Sequence, residues 1–251
     1  MDGWILAVFL LSVLVGSYVQ VVTGFAMGMI VIAVMVGSHL VDVPLITAVA
    51  SLLSLVNVVL ALRGQLHRVH WRLFGWLAVG QLSAIWAGVA LLDYLNASAL
   101  WILELLLGAF TVLGGLSMLL RPEPKTQVSR PWACFSAGVS AGIVGGLFSA
   151  SGPVMGWFNY RQPLEVAVIR ATLFGCFAVS TTTRTLVVGM DGGLTGDVWL
   201  LTLFGLPTVL LGTWAGRELA PPVSSVAMKR IAFSMLVSMG VWIVVNAFLA
   251  S

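Results

Sequence analysis

One apolar run after another, each about as long as a bilayer is thick, is what most restricts the folds open to this chain. Such runs occupy 4–22, 44–62, 71–92, 97–120, 132–150, 172–190, 198–216 and 231–249. A helix needs about 20 apolar residues to cross the hydrocarbon core, and in lipid every backbone polar group must be satisfied internally. Composition agrees: 60% of the 251 residues are hydrophobic, 8% are charged and the mean hydropathy is +1.07, against about 25% charged in a soluble domain. These features predict an all-α polytopic membrane protein with little sequence left for a soluble domain. The first run is read as a helix and not a cleaved leader, because Asp2 replaces a positive n-region and no small-residue cleavage site precedes soluble sequence. Cys134 and Cys176 lie in apolar runs and are read as small core residues, not as a disulfide. No basic block or basic helical face calls for nucleic acid, and nothing implies a cofactor.

The basic residues set an orientation. Arg63, Arg68 and Arg72 share one connection, Arg121, Lys125 and Arg130 a second, and Arg217, Lys229 and Arg230 flank a third, whereas the intervening connections carry Asp42, Asp93, Asp191 and Asp197. The positive-inside rule then places 63–72, 121–130 and 217–230 in the cytoplasm and both termini outside. Parity supplies a further constraint. From the inside connection near 125 the chain must reach the outside near 191 in an odd number of crossings, yet two apolar regions, 132–161 and 164–190, intervene. A helical hairpin over 132–161, re-entrant or spanning, removes the conflict.

Two stretches supply the turns of such hairpins: "VVTGFAMGMIV" at 21–31 and "FSASGPVMGWF" at 148–158. Shifting the first half by 128 puts Gly24, Met27 and Gly28 on Gly152, Met155 and Gly156. It also puts Gly64 on Gly192, Leu66 on Leu194, Trp71 on Trp199, and Trp86-Ala87-Gly88 on Trp214-Ala215-Gly216. The connection 63–72 is basic and its partner 191–200 acidic, so the halves are expected to be inverted across the membrane. The predicted architecture is two inverted repeats, 1–120 and 132–251, joined by a linker at 121–131, each a glycine-broken helical hairpin plus three transmembrane helices. Inverted repeats with broken helices characterise secondary transporters, whose sites sit near the midplane at the breaks. There, helix starts offer unbonded N–H groups and about half a positive charge to an anion, and Pro153 suits a first helical turn. Gly24, Phe25, Gly152 and Pro153 are accordingly expected to face one another around a small anion, beside Ser151, Thr23 and Gln20. The same glycines would also permit close helix packing.

The turns "TGFAMG" and "GGLFSASGPVMG", with "RGQLHRVHWR" after the second apolar run, resemble the sulfite exporter TauE/SafE family, also called the toluene sulfonate uptake permeases, over essentially the whole chain. Family members commonly carry more glycines in the first turn, where this chain has Ala26 and Met27. The resemblance implies a prokaryotic inner-membrane carrier of sulfite, sulfoacetate or other organosulfonates.

Charged residues within the runs complete the candidate site. Arg184, in "STTTRT", lies six residues short of the end of 172–190. An intramembrane arginine costs about 2.5 kcal/mol or more on insertion scales, and a guanidinium suits bidentate oxyanion binding. It either contacts substrate or snorkels to the surface. Ser180, Thr181, Thr182, Thr183 and Thr185 add hydroxyls, and under the shift Asn57 matches Thr185 and Ser54 matches Thr182. Glu104, at similar depth, is read as a structural partner of Arg184 or as the carrier of a coupling proton, with H⁺ or Na⁺ as candidate coupling ions. Arg161, Glu165 and Arg170 cluster near the return of the second hairpin, as an inner gate or an ordinary interfacial group. An enzyme is not expected. "SASG" at 149–152 looks superficially like an intramembrane serine protease motif, but His39, His67 and His70 fall in loops or at helix ends, where no base reaches the serine. No metal-ligand cluster or nucleotide-binding loop is present. The alternatives kept open are an anion channel of the same architecture and a carrier of a different small organic anion.

Overall fold

The computed structural model describes residues 3–38, 40–119, 125–219 and 225–249. Residues 121–124 of the expected linker, 220–224 of the third basic connection and His39 lie outside them. Among the described residues ten α-helices follow one another: α1 Gly3–Thr23, α2 Met27–Gly37, α3 Val43–Leu62, α4 Trp71–Ser98, α5 Leu100–Leu119, α6 Pro131–Phe148, α7 Gly152–Tyr160, α8 Val166–Met190, α9 Gly196–Glu218 and α10 Ser225–Leu249, with a 3-10 turn at Leu66–Arg68. Among the described residues seven of these are long and apolar enough to cross a membrane. Sequence punctuation explains the boundaries. Prolines sit in the first turns of α3, α6 and α7, where a missing N–H costs nothing. Gly64 and Gly192, at φ +79° and +75°, turn the chain after α3 and α8.

The hairpins prove to have unequal limbs. α1, with 21 residues, is about 31 Å long, whereas α2 and α7, with 11 and 9 residues, reach only about 16 and 14 Å at 1.5 Å per residue. Each short helix therefore covers about half a bilayer and begins inside the protein. The shift of 128 matches the structure unevenly. Gly64 and Gly192 both turn the chain at positive φ, but Gly24 is the first residue after α1 whereas Gly152 is the first residue of α7. In chain order the counterpart of Gly24 is Ser149, the first residue after α6, and both have positive φ (+90° and +53°).

Packing pairs α4 with α6, α1 with α9, α5 with α10, and α3 with α8. α4 and α6 run parallel and very close: a Cβ on Gly80, Gly88, Gly138 or Gly146 would collide with the carbonyl oxygen of Phe135, Ile143, Leu77 or Ile85 on the facing helix. Small residues that let two backbones touch are the usual glue where water supplies no hydrophobic drive. The helix directions bring Arg63, Arg68, Arg72, Lys125, Arg130 and Arg217 to one end of the bundle and Asp42, Asp93, Asp191 and Asp197 to the other. Large apolar side chains such as Leu113, Leu203, Leu211 and Leu186 are exposed on the flanks, as a lipid-facing surface requires. Cys134 and Cys176 are free and buried.

Candidate functional site

Between α1 and α2 the chain spends three residues, Gly24, Phe25 and Ala26, out of helix. Gly24 takes φ +90°, and its missing side chain leaves room for Arg170 Cγ, 3.1 Å from where a Cβ would stand. Ala26 also adopts positive φ, +104°, a conformation that is strained for a residue with a Cβ. Polar side chains secure this unwound segment. The Thr23 hydroxyl lies 2.8 Å from Val19 O and 2.6 Å from Phe25 O, and Gln20 Oε1 accepts the Met27 N–H at 3.1 Å, capping the start of α2 across the break. The Tyr160 hydroxyl donates to Thr23 O (2.7 Å) and Arg170 Nη1 to Val22 O (3.1 Å), so elements of the second half satisfy the carbonyls that end α1.

The second break, Ser149 to Ser151, abuts the first. A Cβ on Gly28 would stand 2.7 Å from Ser149 O, and one on Gly152 would stand 2.9 Å from the Phe25 ring. Phe25 is held there by stacking on Phe233, 5.6 Å between centroids. A cavity of about 30 Å³ lies where the breaks meet, lined on one side by Gln20, Phe25, Ala26, Gly28, Met29 and Ser54 and on the other by Ser149, Ala150, Ser151, Gly152, Phe177, Ser180 and Thr181. That is room for about two waters on a scale of 10–15 Å³ each. Ser54, Ser151 and Ser180 are each 4% exposed, and none of the three makes a hydrogen bond among the described residues. Gly145 of α6 makes space for two of them, since a Cβ there would stand 3.0 Å from Ser180 Oγ and 3.3 Å from Ser151 Cβ. The first turns of α2 and α7 border the same space through Gly28 and Gly152, and the N–H groups that open a helix lack intrahelical partners. The cavity thus offers donors from two helix starts and three buried hydroxyls without partners. An oxyanion is the ligand that accepts from all of them.

Arg184 stands behind this wall and is 1% exposed. Nε donates to Gly146 O (2.8 Å), Nη1 to Thr47 O (2.9 Å) and Ser51 Oγ (2.8 Å), and Nη2 to Thr47 Oγ1 (2.9 Å). Four of its five N–H groups therefore bind α3 and α6, tying both to α8. Neither snorkelling to the surface nor direct lining of the cavity describes it. Glu104 is on α5, in the wall of a separate cavity of about 790 Å³ at the acidic end, with Asp42, Asp197 and Asn96.

Of the other expected site residues, Gln20, Phe25, Ser151, Gly152 and Thr181 line the central cavity, although the Thr181 hydroxyl is turned back to Phe177 O at 2.7 Å. Thr23 and Gly24 shape the break without lining the cavity. Pro153 packs on Gly114 of α5. Asn57 ties α3 to α9 and α1 through Thr213 Oγ1 (2.9 Å) and Ser17 O (3.3 Å), and Thr185 Oγ1 is buried outside the cavity. Arg161 lies over Trp157 at 4.5 Å, Glu165 precedes α8 without capping it, and Arg170 binds the end of α1. Of the serines that line the cavity, Ser54, Ser151 and Ser180 were among the hydroxyls that the sequence offered to an anion, and Ser149 was not. Ser149 lies within "FSASG", so counting every hydroxyl of that stretch would have found it.

Two half-length helices beginning inside an apolar bundle, at a small cavity of donors, define a polytopic membrane protein of the transporter class. Residues 8–243 match the family described as Sulfite exporter TauE/SafE, and the chain belongs to that family. It is 39% identical over 235 residues to the probable sulfite/organosulfonate exporter TauE of Cupriavidus necator, covering 94% of this chain and 92% of that protein. It is 25% identical over 177 residues to the probable inner membrane transporter protein TsaS of Comamonas testosteroni, covering 69% of this chain and 72% of that protein. No solved structure matches the chain.

Proposed function

We propose that this protein is a secondary carrier that moves a small sulfur oxyanion, sulfite or an organosulfonate, out of the cell by alternating access around the central cavity. The observation that carries this reading is the convergence of two internal helix starts on Ser54, Ser151 and Ser180, three buried hydroxyls without partners. The similarity to a probable sulfite/organosulfonate exporter supports the choice of anion. The helix pairings support rocking halves: α4 with α6 and α9 with α1, α5 with α10, and α3 with α8 are the contacts that a two-fold relation between α1–α5 and α6–α10 generates. A carrier is favoured over a channel because the central cavity, of only about 30 Å³, shares no lining residue with the 790 Å³ cavity at the acidic end. Export needs no coupling ion, since a membrane potential negative inside favours anion exit by about 2.3 kcal/mol per charge per 100 mV. Uptake would need H⁺ or Na⁺.

The test is counterflow of labelled sulfite and sulfoacetate into proteoliposomes. Saturable exchange that is lost in Ser151→Ala/Ser180→Ala, with the protein still folded, is the expected result. A large, non-saturating conductance would make it a channel, and no flux of either anion would remove the substrate assignment.

A further inference from the structure

Arg184 does not line the cavity, yet one hydrogen-bond path leads from it to the cavity wall. Nη1 donates to Ser51 Oγ at 2.8 Å, and Ser51 Oγ lies 2.8 Å from Ser149 Oγ, which lines the cavity. Either serine can be the donor across that second contact. Ser51 Oγ is also 2.9 Å from Thr47 O, so its single proton has two possible acceptors. A carbonyl oxygen has two lone pairs. Thr47 O already accepts Arg184 Nη1 and, four residues on in α3, the helical N–H of Ser51. The Ser51 proton is therefore best placed on Ser149 Oγ, which frees the Ser149 proton. Ser149 is fixed in a left-handed turn at φ +53° between α6 and α7, beside the unpartnered Ser151.

We infer that Arg184 acts on the substrate anion at second hand, through Ser51 to Ser149, so that the Ser149 hydroxyl is the donor through which the buried charge is felt. This rests on the central cavity being the substrate site. Each donor in the chain polarises the next, so the Ser149 hydroxyl is a stronger donor than the unlinked hydroxyls of Ser54, Ser151 and Ser180. It also keeps the guanidinium out of the translocation path, where a direct ion pair would hold the anion too firmly to release. Arg184 and Ser51 are thus positioning residues, and Ser149 is the contact.

The experiment is sulfite counterflow with Ser51→Ala, Ser149→Ala, the double variant and Ser54→Ala as a comparison, with the melting temperature of each preparation measured. Loss of a hydrogen bond backed by a charge is expected to raise the half-saturating sulfite concentration about tenfold in each single variant. The double variant is expected to be no worse than either one, because residues in one network are non-additive. Ser54→Ala combined with Ser149→Ala should instead multiply. Should Ser51→Ala fail to assemble, Ser51→Thr and Ser51→Val, alike in shape, decide the point: only the threonine keeps wild-type affinity. Multiplying effects of Ser51→Ala and Ser149→Ala, or wild-type affinity in Ser51→Val, overturn the relay while leaving the cavity as the site. Absence of saturable sulfite flux in the wild type overturns the site and the relay together.

Discussion

At the scale of single residues, the decisive feature is how Arg184 is used. An arginine against substrate can be replaced with loss of transport and little loss of stability. Arg184 is instead bonded at four points to Gly146, Thr47 and Ser51, and a hydrogen bond to a charged group contributes about 1.5–3 kcal/mol. Arg184→Met removes every one of these donors and leaves the Gly146 and Thr47 acceptors short. It is expected to lower thermal stability in detergent sharply, by several kcal/mol, as well as transport, with Arg184→Lys intermediate. An Arg184→Met protein with unchanged melting temperature would show that the four bonds are dispensable. Ala26 illustrates the opposite economy. The backbone there has φ +104°, so this chain tolerates a Cβ in a left-handed turn that glycine would adopt without strain.

At the scale of elements, the two breaks matter because they touch. At Gly28 the space for a Cβ is taken by Ser149 O, a backbone atom 2.7 Å away, whereas at Gly152 it is the edge of the Phe25 ring at 2.9 Å. A ring can tilt by a few tenths of an ångström, while a carbonyl fixed in a turn must take its chain with it. Gly28→Ala is therefore expected to push the two half-length helices apart and abolish transport, whereas Gly152→Ala should retain a measurable fraction. Equal activity of the two variants in counterflow would contradict the contact between breaks. Sequence already indicated this region, since glycines and a proline inside apolar runs mark backbone that cannot remain helical, and the parity of basic and acidic connections required a return near 148–161. Two things were not legible. The lengths of the return limbs depend on where each short helix starts, and Met27 rather than Gly24 begins α2 because Gln20 caps it from the previous helix. The place of Arg184 depends on which hydroxyls and carbonyls of α3 and α6 lie within reach, and that long-range pairing has no periodic trace in sequence.

At the scale of the whole molecule, charge separates the two ends, and with them the two larger cavities. The cavity at the acidic end presents Asp42, Glu104 and Asp197, whereas a cavity of about 320 Å³ at the basic end is lined by His70, Arg72 and Arg130. If the positive-inside rule sets the orientation, anions gather on the cytoplasmic side and are kept from the outer mouth by acidic groups acting over about a Debye length, roughly 8–10 Å. Both fields then assist exit and oppose return, in the direction the membrane potential already favours. Both effects depend on orientation, which thiol accessibility decides. Cys134 and Cys176 are buried and should stay unlabelled in the folded protein, so single added cysteines report cleanly. Leu66, in the connection after α3, and Thr195, before α9, are both exposed and lie at opposite ends. In sealed spheroplasts an impermeant maleimide is expected to label Thr195→Cys at once and Leu66→Cys only after permeabilisation. The reverse pattern would place the acidic mouth in the cytoplasm, where it would repel the anion to be exported, and uptake against the potential, with a coupling cation, would become the reading to test.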